Sequence, residues 1–200
     1  MSLVSPKHSQ FHTFKEQQSK FISRLSYFDD VTNFKLWLSG LRKEYYDASH
    51  VCWGYRIFVQ NQLEENSSDS GEPSGTAGFP IINTLKQKQV VNCGLAVIRY
   101  FGGIKLGKRG LIDAYSQSAQ LVIDKTDFVK WMKKDKYFIT SPMAFYGNLS
   151  QSISRLGGII RDNQSDDNLK WIIEIDSNKL NELIKLVRTV TKGTGDLEKL

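Results

Sequence analysis

The sequence has little of what membrane, secreted and disulfide-bonded proteins require. Its apolar runs fall well short of the ~20 residues that a membrane-spanning helix needs. The polar stretch 1–20 has no apolar segment of the kind found in secretory signals. Two cysteines, Cys52 and Cys93, are too few for a disulfide framework or a cysteine metal cluster. We therefore expect a cytoplasmic protein without membrane association, whose cysteines are small buried residues.

The signatures of hydrolytic enzymes are missing as well. The stretch Pro73–Gly78 does not contain the Gly-x-Ser-x-Gly elbow that presents a nucleophilic serine. A base and a nucleophile can be assembled on paper from His50, Cys52, Ser74 and Thr76, but nothing in the local sequence supports that combination. His50 stands at the start of a predicted strand, where a hydrogen-bonded structural role is the usual one. We therefore predict no catalytic residue.

Carboxylates are too sparse for a dedicated metal site. Asp69 and Glu72 lie in one loop, but two carboxylates with neighbouring hydroxyls cannot form the oxygen cage of a divalent cation. Asp69 is expected to form an Asx turn, and Glu72 to accept backbone amides of its own loop. No metal and no cofactor is predicted. The alternative is an enzyme acting on a small phosphorylated or peptidic substrate, with Glu72 or His50 as the base.

The positive charge of the chain is confined to its first two thirds. Residues 1–136 carry 19 Lys and Arg against 13 Asp and Glu, whereas residues 137–200 carry 8 of each kind. This asymmetry predicts an anionic partner for the first part: RNA, a ribosomal surface, a phosphorylated ligand or an acidic protein face. The alternative is a solvated basic surface that only aids solubility.

Two glycine-rich segments, Ser67–Gly78 and Arg99–Gly110, are the most informative part of the chain. Glycine lets the backbone turn sharply and lets another molecule approach its amides closely. Gly102–Lys108 follows most of the phosphate-loop pattern, but the next residue is Arg109 and not the serine or threonine that holds magnesium. Nucleotide hydrolysis of that type is therefore not expected, although glycine turns, helix amides and cations together still favour an anion.

The predicted anion or nucleic-acid site combines both segments. Its binding residues are Arg99, Gly102, Gly103, Lys105, Gly107, Lys108 and Arg109. The adjacent motif loop contributes Asp69, Gly71, Glu72, Ser74, Gly75, Thr76 and Gly78, with His50 beside it. The alternative is a tight strand-to-helix turn whose lysines are merely hydrated.

Apolar periodicity predicts alternating strands and helices in the first part of the chain. The predicted strands are Lys20–Tyr27, Val51–Val59 and Asn92–Phe101. The predicted helices run from Asp30 or Thr32 to about Tyr46, onward from Gly78, and from Gly110 to Lys125. The polar, acidic stretch Gln60–Ser70 is predicted to be a loop.

The pattern restarts after a charge-rich stretch, Lys130–Lys136, which is predicted to be a linker. Residues 137–200 have the order β-α-β-β-α-β, which is the split βαβ or ferredoxin-like arrangement. The sequence thus predicts an α+β protein with one domain over 1–132 and a second over 137–200.

Four segments of the first part resemble the IMPACT/YigZ family. They are Ser49–Ile57, Asp69–Pro80, Val97–Gly107 and Gly110–Tyr115, and the resemblance extends over about Lys20–Lys125. It implies an N-terminal domain similar to the second domain of ribosomal protein S5. In bacterial members it also implies a C-terminal ferredoxin-like domain resembling domain V of elongation factor G.

The resemblance implies a function in translation. Both component domains recur in ribosomal proteins and translation factors, so it implies binding to RNA or to a ribosome-associated surface. Eukaryotic relatives regulate translation by competing for the activator of an initiation-factor kinase, which makes a protein-interaction module the alternative. Those relatives carry an additional N-terminal domain, so their competition is not transferred to this chain.

The chain departs from the family pattern at two positions. Ser70 stands where the family usually has a second aspartate, which weakens any metal site. Arg109 stands where the family usually has a further glycine, which adds charge but removes a residue free to adopt positive φ.

Overall fold

The computed structural model describes residues 2–59 and 62–200. The chain divides into two compact units, Met1–Trp131 and Met132–Leu200. The strands of the first unit are β1 (Val4–Pro6), β2 (Gln10–Glu16), β3 (Ser19–Tyr27), β4 (His50–Val59), β5 (Gln62–Ser68), β6 (Cys93–Tyr100) and β7 (Phe128–Lys130). Its helices are α1 (Val31–Glu44), α2 (Gly78–Gln87) and α3 (Gly107–Asp124).

A five-stranded antiparallel sheet, in the order β2-β3-β6-β4-β5, forms the centre of the first unit. Successive side chains of a strand point to opposite faces. On β6, Leu95 and Val97 therefore pack in one core cluster with α2 and α3, whereas Ala96 and Ile98 pack in another with α1. Because helices cover both faces, β6 is apolar along nearly its whole length, which explains why its sequence predicted a central strand.

Most of the predicted elements of this unit are confirmed; the exceptions are the two edge strands of the central sheet and the short pair β1–β7, which was not predicted. The predicted loop Gln60–Ser70 is wrong over Gln62–Ser68, which forms β5; Gln60 and Asn61 lie outside the described residues. Strand β2 at the opposite edge was not predicted at all. Edge strands pair on one side only and expose alternate side chains, so their composition resembles that of a polar loop.

The second unit is built on a four-stranded antiparallel sheet in the order β11-β8-β10-β9. Its elements are β8 (Lys134–Pro142), α4 (Tyr146–Leu156), β9 (Ile159–Asn163), β10 (Asn168–Asp176), α5 (Leu180–Val190) and β11 (Asp196–Lys199). The predicted order β-α-β-β-α-β is therefore present. Inward residues of β8 and β10, among them Ile139 and Trp171, pack against Leu149 of α4 and Leu183 of α5.

The predicted linker Lys130–Lys136 needs correction, because elements of both units extend into it. Strand β7 ends at Lys130, and strand β8 begins at Lys134. Trp131 stacks on Phe58, with ring centroids 4.1 Å apart, and so belongs to the packing of the first unit. Across the described part of the chain, none of the helices is both long and apolar enough to cross a membrane.

Candidate nucleic-acid interface

The two glycine-rich segments meet at one end of the five-stranded sheet. Strand β4 begins at His50, and the antiparallel register places His50 opposite Arg99, near the end of β6. The loop 69–77 leads from β5 into α2, and the loop 101–106 leads from β6 into α3. Ser68, the last residue of β5, pairs with Trp53 near the start of β4, and Arg99 near the end of β6 pairs with His50. Both loops therefore leave the sheet close to its His50–Arg99 end.

A cavity of ≈ 500 Å³ lies between these loops. This volume is within the range of about 300–1,000 Å³ that is typical of small-molecule sites. The apolar side chains that line it are Pro73, Phe101, Leu106 and Leu111. The charged or titratable side chains that line it are His50, Glu72, Arg99, Lys105 and Lys108. The cavity therefore combines apolar walls with a few charged groups.

Glu72 and Arg99 form a buried ion pair at the cavity. Their side chains are only 3% and 6% exposed, and Arg99 Nη1 donates to Glu72 Oε1 at 2.6 Å. The Tyr115 hydroxyl donates to the same oxygen at 2.9 Å. The charge of Arg99 is thus balanced within the molecule, so its guanidinium is not the free phosphate contact that the sequence suggested. Glu72 accepts side-chain donors, whereas the sequence predicted backbone amides.

His50 is held at the cavity by the backbone of the motif loop. Its Nδ1 lies 3.0 Å from the carbonyl oxygen of Ser70. Because a carbonyl oxygen only accepts, we assign the neutral-ring proton to Nδ1, which leaves Nε2 as an acceptor. Nε2 lies 3.9 Å from Glu72 Oε1. Gly71 passes beside the ring with φ +92°, a conformation that favours glycine.

Asp69 organises the motif loop through its own carboxylate. Oδ2 accepts the amide of Gly75 at 2.9 Å, and Oδ1 accepts the amides of Ala77 at 2.9 Å and Gly78 at 2.8 Å. Burial opposes ionisation, but the three backbone hydrogen bonds outweigh it and hold the pKa of Asp69 below its usual value. Asp69 therefore has a structural role, but the predicted Asx turn is wrong, because its carboxylate accepts the amides of Gly75, Ala77 and Gly78. It faces the start of α2 as a fixed negative charge.

The remaining hydroxyl and thiol candidates have structural positions. Thr76 is buried and its hydroxyl donates to the carbonyl oxygen of Pro73 at 2.6 Å, whereas Ser74 is exposed on the loop. Cys52 Sγ lies 2.9 Å from the carbonyl oxygen of Asp69. Burial raises the pKa of the Cys52 thiol to about 12, so it is not a nucleophile near neutral pH.

The basic loop presents two kinds of cation. Lys105 and Lys108 are exposed, line the cavity and have no ion-pair partner among the residues that the structure describes. Arg109 is not among the cavity-lining residues, and its Nε pairs with Asp113 Oδ2 at 3.1 Å on the surface of α3. Lys105 and Lys108 are therefore the cations best placed to meet an anion at the cavity.

The Impact N-terminal domain family matches residues 17–123, which is more than half of the chain. The chain belongs to the IMPACT family. The resemblance seen in the sequence is thereby confirmed. The match includes four of the five strands of the central sheet, β3 to β6, together with both loops and every residue that lines the cavity, whereas β2 lies outside it. The second unit lies outside it.

Relatives of this IMPACT-family chain come from bacteria and from a eukaryote. It is 25% identical to IMPACT family member YvyE of Bacillus subtilis over 197 residues, covering 98% of this chain and 90% of that protein. Identity to IMPACT family member YigZ of Escherichia coli is 37% over 100 residues, which covers 50% of this chain and 49% of YigZ. The Protein IMPACT homolog of Dictyostelium discoideum is 33% identical over 97 residues, covering 47% of this chain and 28% of that protein.

One solved structure shares the fold over the full length. It is the crystal structure of a protein described as hypothetical, with a TM-score of 0.78 and 23% sequence identity. The superposition covers 100% of this chain and 97% of the other. At this identity the likeness concerns the fold alone.

Arg109 fits its position without backbone strain. The residue lies in the first turn of α3 and is not among the described residues with positive φ. The left-handed conformations in this segment occur at Gly103, with φ 89°, and Gly107, with φ 70°. Arginine in place of glycine at residue 109 therefore changes the surface charge and adds no left-handed residue to the first turn of α3.

Two hydrogen-bonding residues behind the IMPACT-family site, Ser19 and Tyr115, were not predicted as site residues. The lining residues that were not predicted are Ser49, Pro73, Phe101, Leu106 and Leu111. Ser19 accepts from Arg99 Nη2 and from the amide of Gly102, both at 3.3 Å. Tyr115 lies fully buried between Cys52 and Glu72. Burial is the main cause that raises the pKa of its hydroxyl, and the two neighbours raise it further. A tyrosine on the apolar face of α3 was the available signal, because a buried hydroxyl needs a partner. Nothing in the sequence pointed to Ser19.

No group of three or more His, Cys, Asp or Glu side chains is arranged to hold a metal ion within residues 2–59 and 62–200. The cavity holds one carboxylate and one imidazole, and that carboxylate is already paired with Arg99. The chemistry that the cavity offers is therefore hydrogen bonding, apolar contact and attraction of anions by lysine.

Both cysteines are expected to be unreactive in the folded protein. Burial raises the pKa of each thiol, at Cys52 and at Cys93, to about 12, so little thiolate is present at about pH 8. A colorimetric thiol reagent should detect neither cysteine before unfolding and both after denaturant is added. Fast reaction of either thiol in the folded protein would contradict the burial described here.

Residue 102 lies so close to the turn between β2 and β3 that glycine is required there. A Cβ at this position would lie 1.9 Å from the carbonyl oxygen of Gln18. We expect Gly102→Ala to displace the loop and to lower the free energy of unfolding by about 1–3 kcal/mol, as overpacking does. Gly40→Ala is the matched control, because a Cβ there meets no atom within 4 Å and lies in α1. Chemical denaturation should show Gly40→Ala to be neutral or stabilising.

Proposed function

We propose that the first unit binds single-stranded RNA at the cavity between the two loops. The observation that carries this proposal is the placement of Lys105 and Lys108, two exposed lysines without an acidic partner among the described residues, beside an apolar-walled cavity. Proteins recognise single-stranded RNA by combining cations for the phosphates with apolar or aromatic surfaces for unstacked bases.

The start of α3 adds a second source of positive potential. The helix begins at Gly107 and has no side-chain hydrogen bond at its N-cap, Leu106. Its first backbone amides therefore lack a side-chain acceptor and carry the positive end of the helix dipole. Lys108 lies in this first turn, and Lys105 lies just before it. A phosphate oxygen at this position would meet amides and ammonium groups together.

An exposed aromatic side chain favours a nucleic acid over a simple inorganic anion. Phe101 lines the cavity, is 47% exposed, and has the Arg99 guanidinium 5.4 Å from its ring centroid. Ile104, in the same loop, is 44% exposed. Hydration of these groups is unfavourable, and a base stacked on Phe101 would cover them. A concave site suits an unstacked strand better than a duplex.

We further propose that the role of this binding is in translation, at the ribosome or on a transcript. The proposal assigns the fold of the second domain of ribosomal protein S5 to residues 1–132. It assigns the ferredoxin-like fold of elongation factor G domain V to residues 137–200. The order β-α-β-β-α-β with sheet order β11-β8-β10-β9 supports the second assignment. The link to translation is an argument from analogy of folds.

Substitution of the two cavity lysines tests RNA binding directly. The Lys105→Ala/Lys108→Ala variant should bind a short single-stranded RNA more weakly than the unaltered chain in a fluorescence anisotropy titration. The control is Lys35→Ala/Lys43→Ala, which removes the same charge from two exposed positions of α1. This helix covers the opposite face of the sheet. Equal affinity of the unaltered chain and the cavity variant would overturn the proposal.

An enzyme is the second candidate, and His50 is the residue that favours it. With its proton on Nδ1, the neutral ring keeps the electron pair of Nε2 unbonded at the cavity that His50 lines, as a general base requires. Glu72 itself is less suited as a base, because one of its oxygens already accepts from Arg99 and Tyr115. Turnover of a phosphorylated metabolite that His50→Gln abolishes would establish this candidate.

A further inference from the structure

We propose that the cavity takes one unstacked nucleobase and selects a base that presents an amino group. That group would meet the polar floor of the cavity, which is the pair of side chains Glu72 and His50. This inference rests on the proposed function, because the strand must first be held by the basic loop. It goes further in naming which part of the RNA enters and what chemistry the site distinguishes. The polar atoms that are still free to bind at the cavity carry the argument.

The walls of the cavity suit a flat heterocycle. Pro73, Leu106 and Leu111 provide apolar contact, and Phe101 provides an aromatic ring at the exposed rim. Protein sites for unstacked bases use such walls, because a base has large apolar faces and a polar edge. The faces would lie between these side chains, so the edge of the base would meet the polar floor.

The floor offers hydrogen-bond acceptors. Glu72 Oε1 already accepts from Arg99 and Tyr115, but Oε2 accepts no hydrogen bond from any residue that the structure describes. The Glu72 side chain is only 3% exposed but lines the cavity, so a base that enters the cavity would meet Oε2 as its unpaired carboxylate oxygen. His50 Nε2, 3.9 Å from Glu72 Oε1, is a second acceptor when the ring is neutral and its proton is on Nδ1.

The donors of Arg99 are directed mainly elsewhere. Nη1 donates to Glu72, Nη2 donates to Ser19, and Nε is buried out of contact with solvent. The guanidinium carbon lies 5.6 Å from the ring centroid of Phe21 and 5.4 Å from that of Phe101. With Nη1 and Nη2 each bonded to a side chain and its faces against rings, Arg99 holds Glu72 in place, and we assign the reading of the base edge to Glu72 Oε2.

Cytosine and uracil test which edge group Glu72 Oε2 recognises, because they differ in the group on C4 and in the proton on N3, which only uracil carries. Cytosine carries an amino group on C4, which donates, and uracil carries a carbonyl oxygen, which accepts. Against Glu72 Oε2, cytosine would form a charge-assisted hydrogen bond, whereas uracil would place one acceptor against another. With uracil in the cavity, this hydrogen bond is missing and the charged carboxylate stays unpaired. We therefore expect the affinity for cytosine to exceed that for uracil by about tenfold or more.

The experiment compares two short RNAs that differ at one position. One is an oligouridine, and the other carries a single central cytidine; both are titrated with the full chain at the same salt concentration. We expect the cytidine RNA to bind about tenfold or more tightly. A third RNA replaces that cytidine by a pyrimidinone riboside without the amino group, and it should bind no better than the oligouridine. This third arm requires no altered protein.

The Glu72→Gln variant gives a second, independent readout. Its amide oxygen is needed to accept from Arg99 and Tyr115, which leaves the amide NH₂ facing the cavity in place of Oε2. A donor there should abolish or reverse the preference for cytidine. Phe101→Ala is the control, because it removes a wall but no floor atom, and it should weaken both RNAs while keeping their ratio. Circular dichroism verifies that each variant is folded.

The outcomes separate this inference from the proposed function. Equal binding of the RNAs by the unaltered chain, with binding still lost in Lys105→Ala/Lys108→Ala, would overturn the base selection and leave RNA binding intact. Equal binding of the cytidine and pyrimidinone RNAs would overturn it likewise, because the amino group would then not be recognised. Failure of every RNA to bind would overturn both.

Discussion

Replacing Glu72 with alanine is expected to lower the free energy of unfolding of the first unit by about 3–5 kcal/mol. The substitution leaves the Arg99 guanidinium buried without its counter-charge and removes the acceptor of the Tyr115 hydroxyl. Urea denaturation followed by tryptophan fluorescence measures the effect, since 3 of the 4 tryptophans, Trp37, Trp53 and Trp131, lie in this unit.

An exposed ion pair provides the comparison. Asp113→Ala breaks the pair with Arg109, whose side chains are 57% and 86% exposed, and should change the free energy of unfolding by less than about 1 kcal/mol. The double variant Glu72→Ala/Arg99→Met removes both buried charges and should cost less than the sum of the two single substitutions. A loss below about 1 kcal/mol for Glu72→Ala would show that Arg99 is not held as described.

The second large effect concerns the salt dependence of RNA binding. Each phosphate contact on a single strand contributes about 0.7 to the slope of log affinity against log salt concentration. If Lys105 and Lys108 each contact one phosphate, the Lys105→Ala/Lys108→Ala variant should lose about 1.4 of that slope. Its affinity at low salt should fall by about tenfold or more, because two charge-assisted contacts are removed.

Two other variants define how local this effect is. Arg109→Ala should lower affinity less than either cavity lysine substitution, because Arg109 pairs with Asp113 away from the cavity lining. Lys35→Ala/Lys43→Ala changes the net charge by the same amount as the cavity variant, but at two exposed residues of α1. It should leave the slope nearly unchanged. If this control loses as much slope as the cavity variant, the attraction is a property of the whole basic surface.

The parts of the fold that the sequence predicted are those that bury apolar residues in a regular pattern. Strand β6 is apolar along nearly its whole length because helices cover both of its faces, and Leu111, Tyr115 and Val122 mark the buried face of α3. Strands β2 and β5 were missed because edge strands depend on backbone pairing, which leaves no apolar run in the sequence.

The location of the site was predictable, but its internal pairing was not. Glycine density and clustered cations correctly pointed to two loops that the fold brings together. Whether Arg99 faces solvent or a carboxylate depends on the register of β4 and β6 and on the path of the motif loop, which no local pattern encodes. The same holds for Ser19, which reaches Arg99 across the β3–β6 pairing. Lys105 and Lys108 lie exposed at the cavity, and their binding of an anion stays a prediction.

Photochemical crosslinking of RNA to the full chain tests the central claim most directly. A short single-stranded RNA carrying one 4-thiouridine would be irradiated with the protein, and the modified peptide would be identified by mass spectrometry. The account predicts crosslinks within residues 99–111 or at the motif loop 69–77, and their loss in Lys105→Ala/Lys108→Ala. Crosslinks confined to the second unit or to the α1 face, unaffected by that variant, would contradict it.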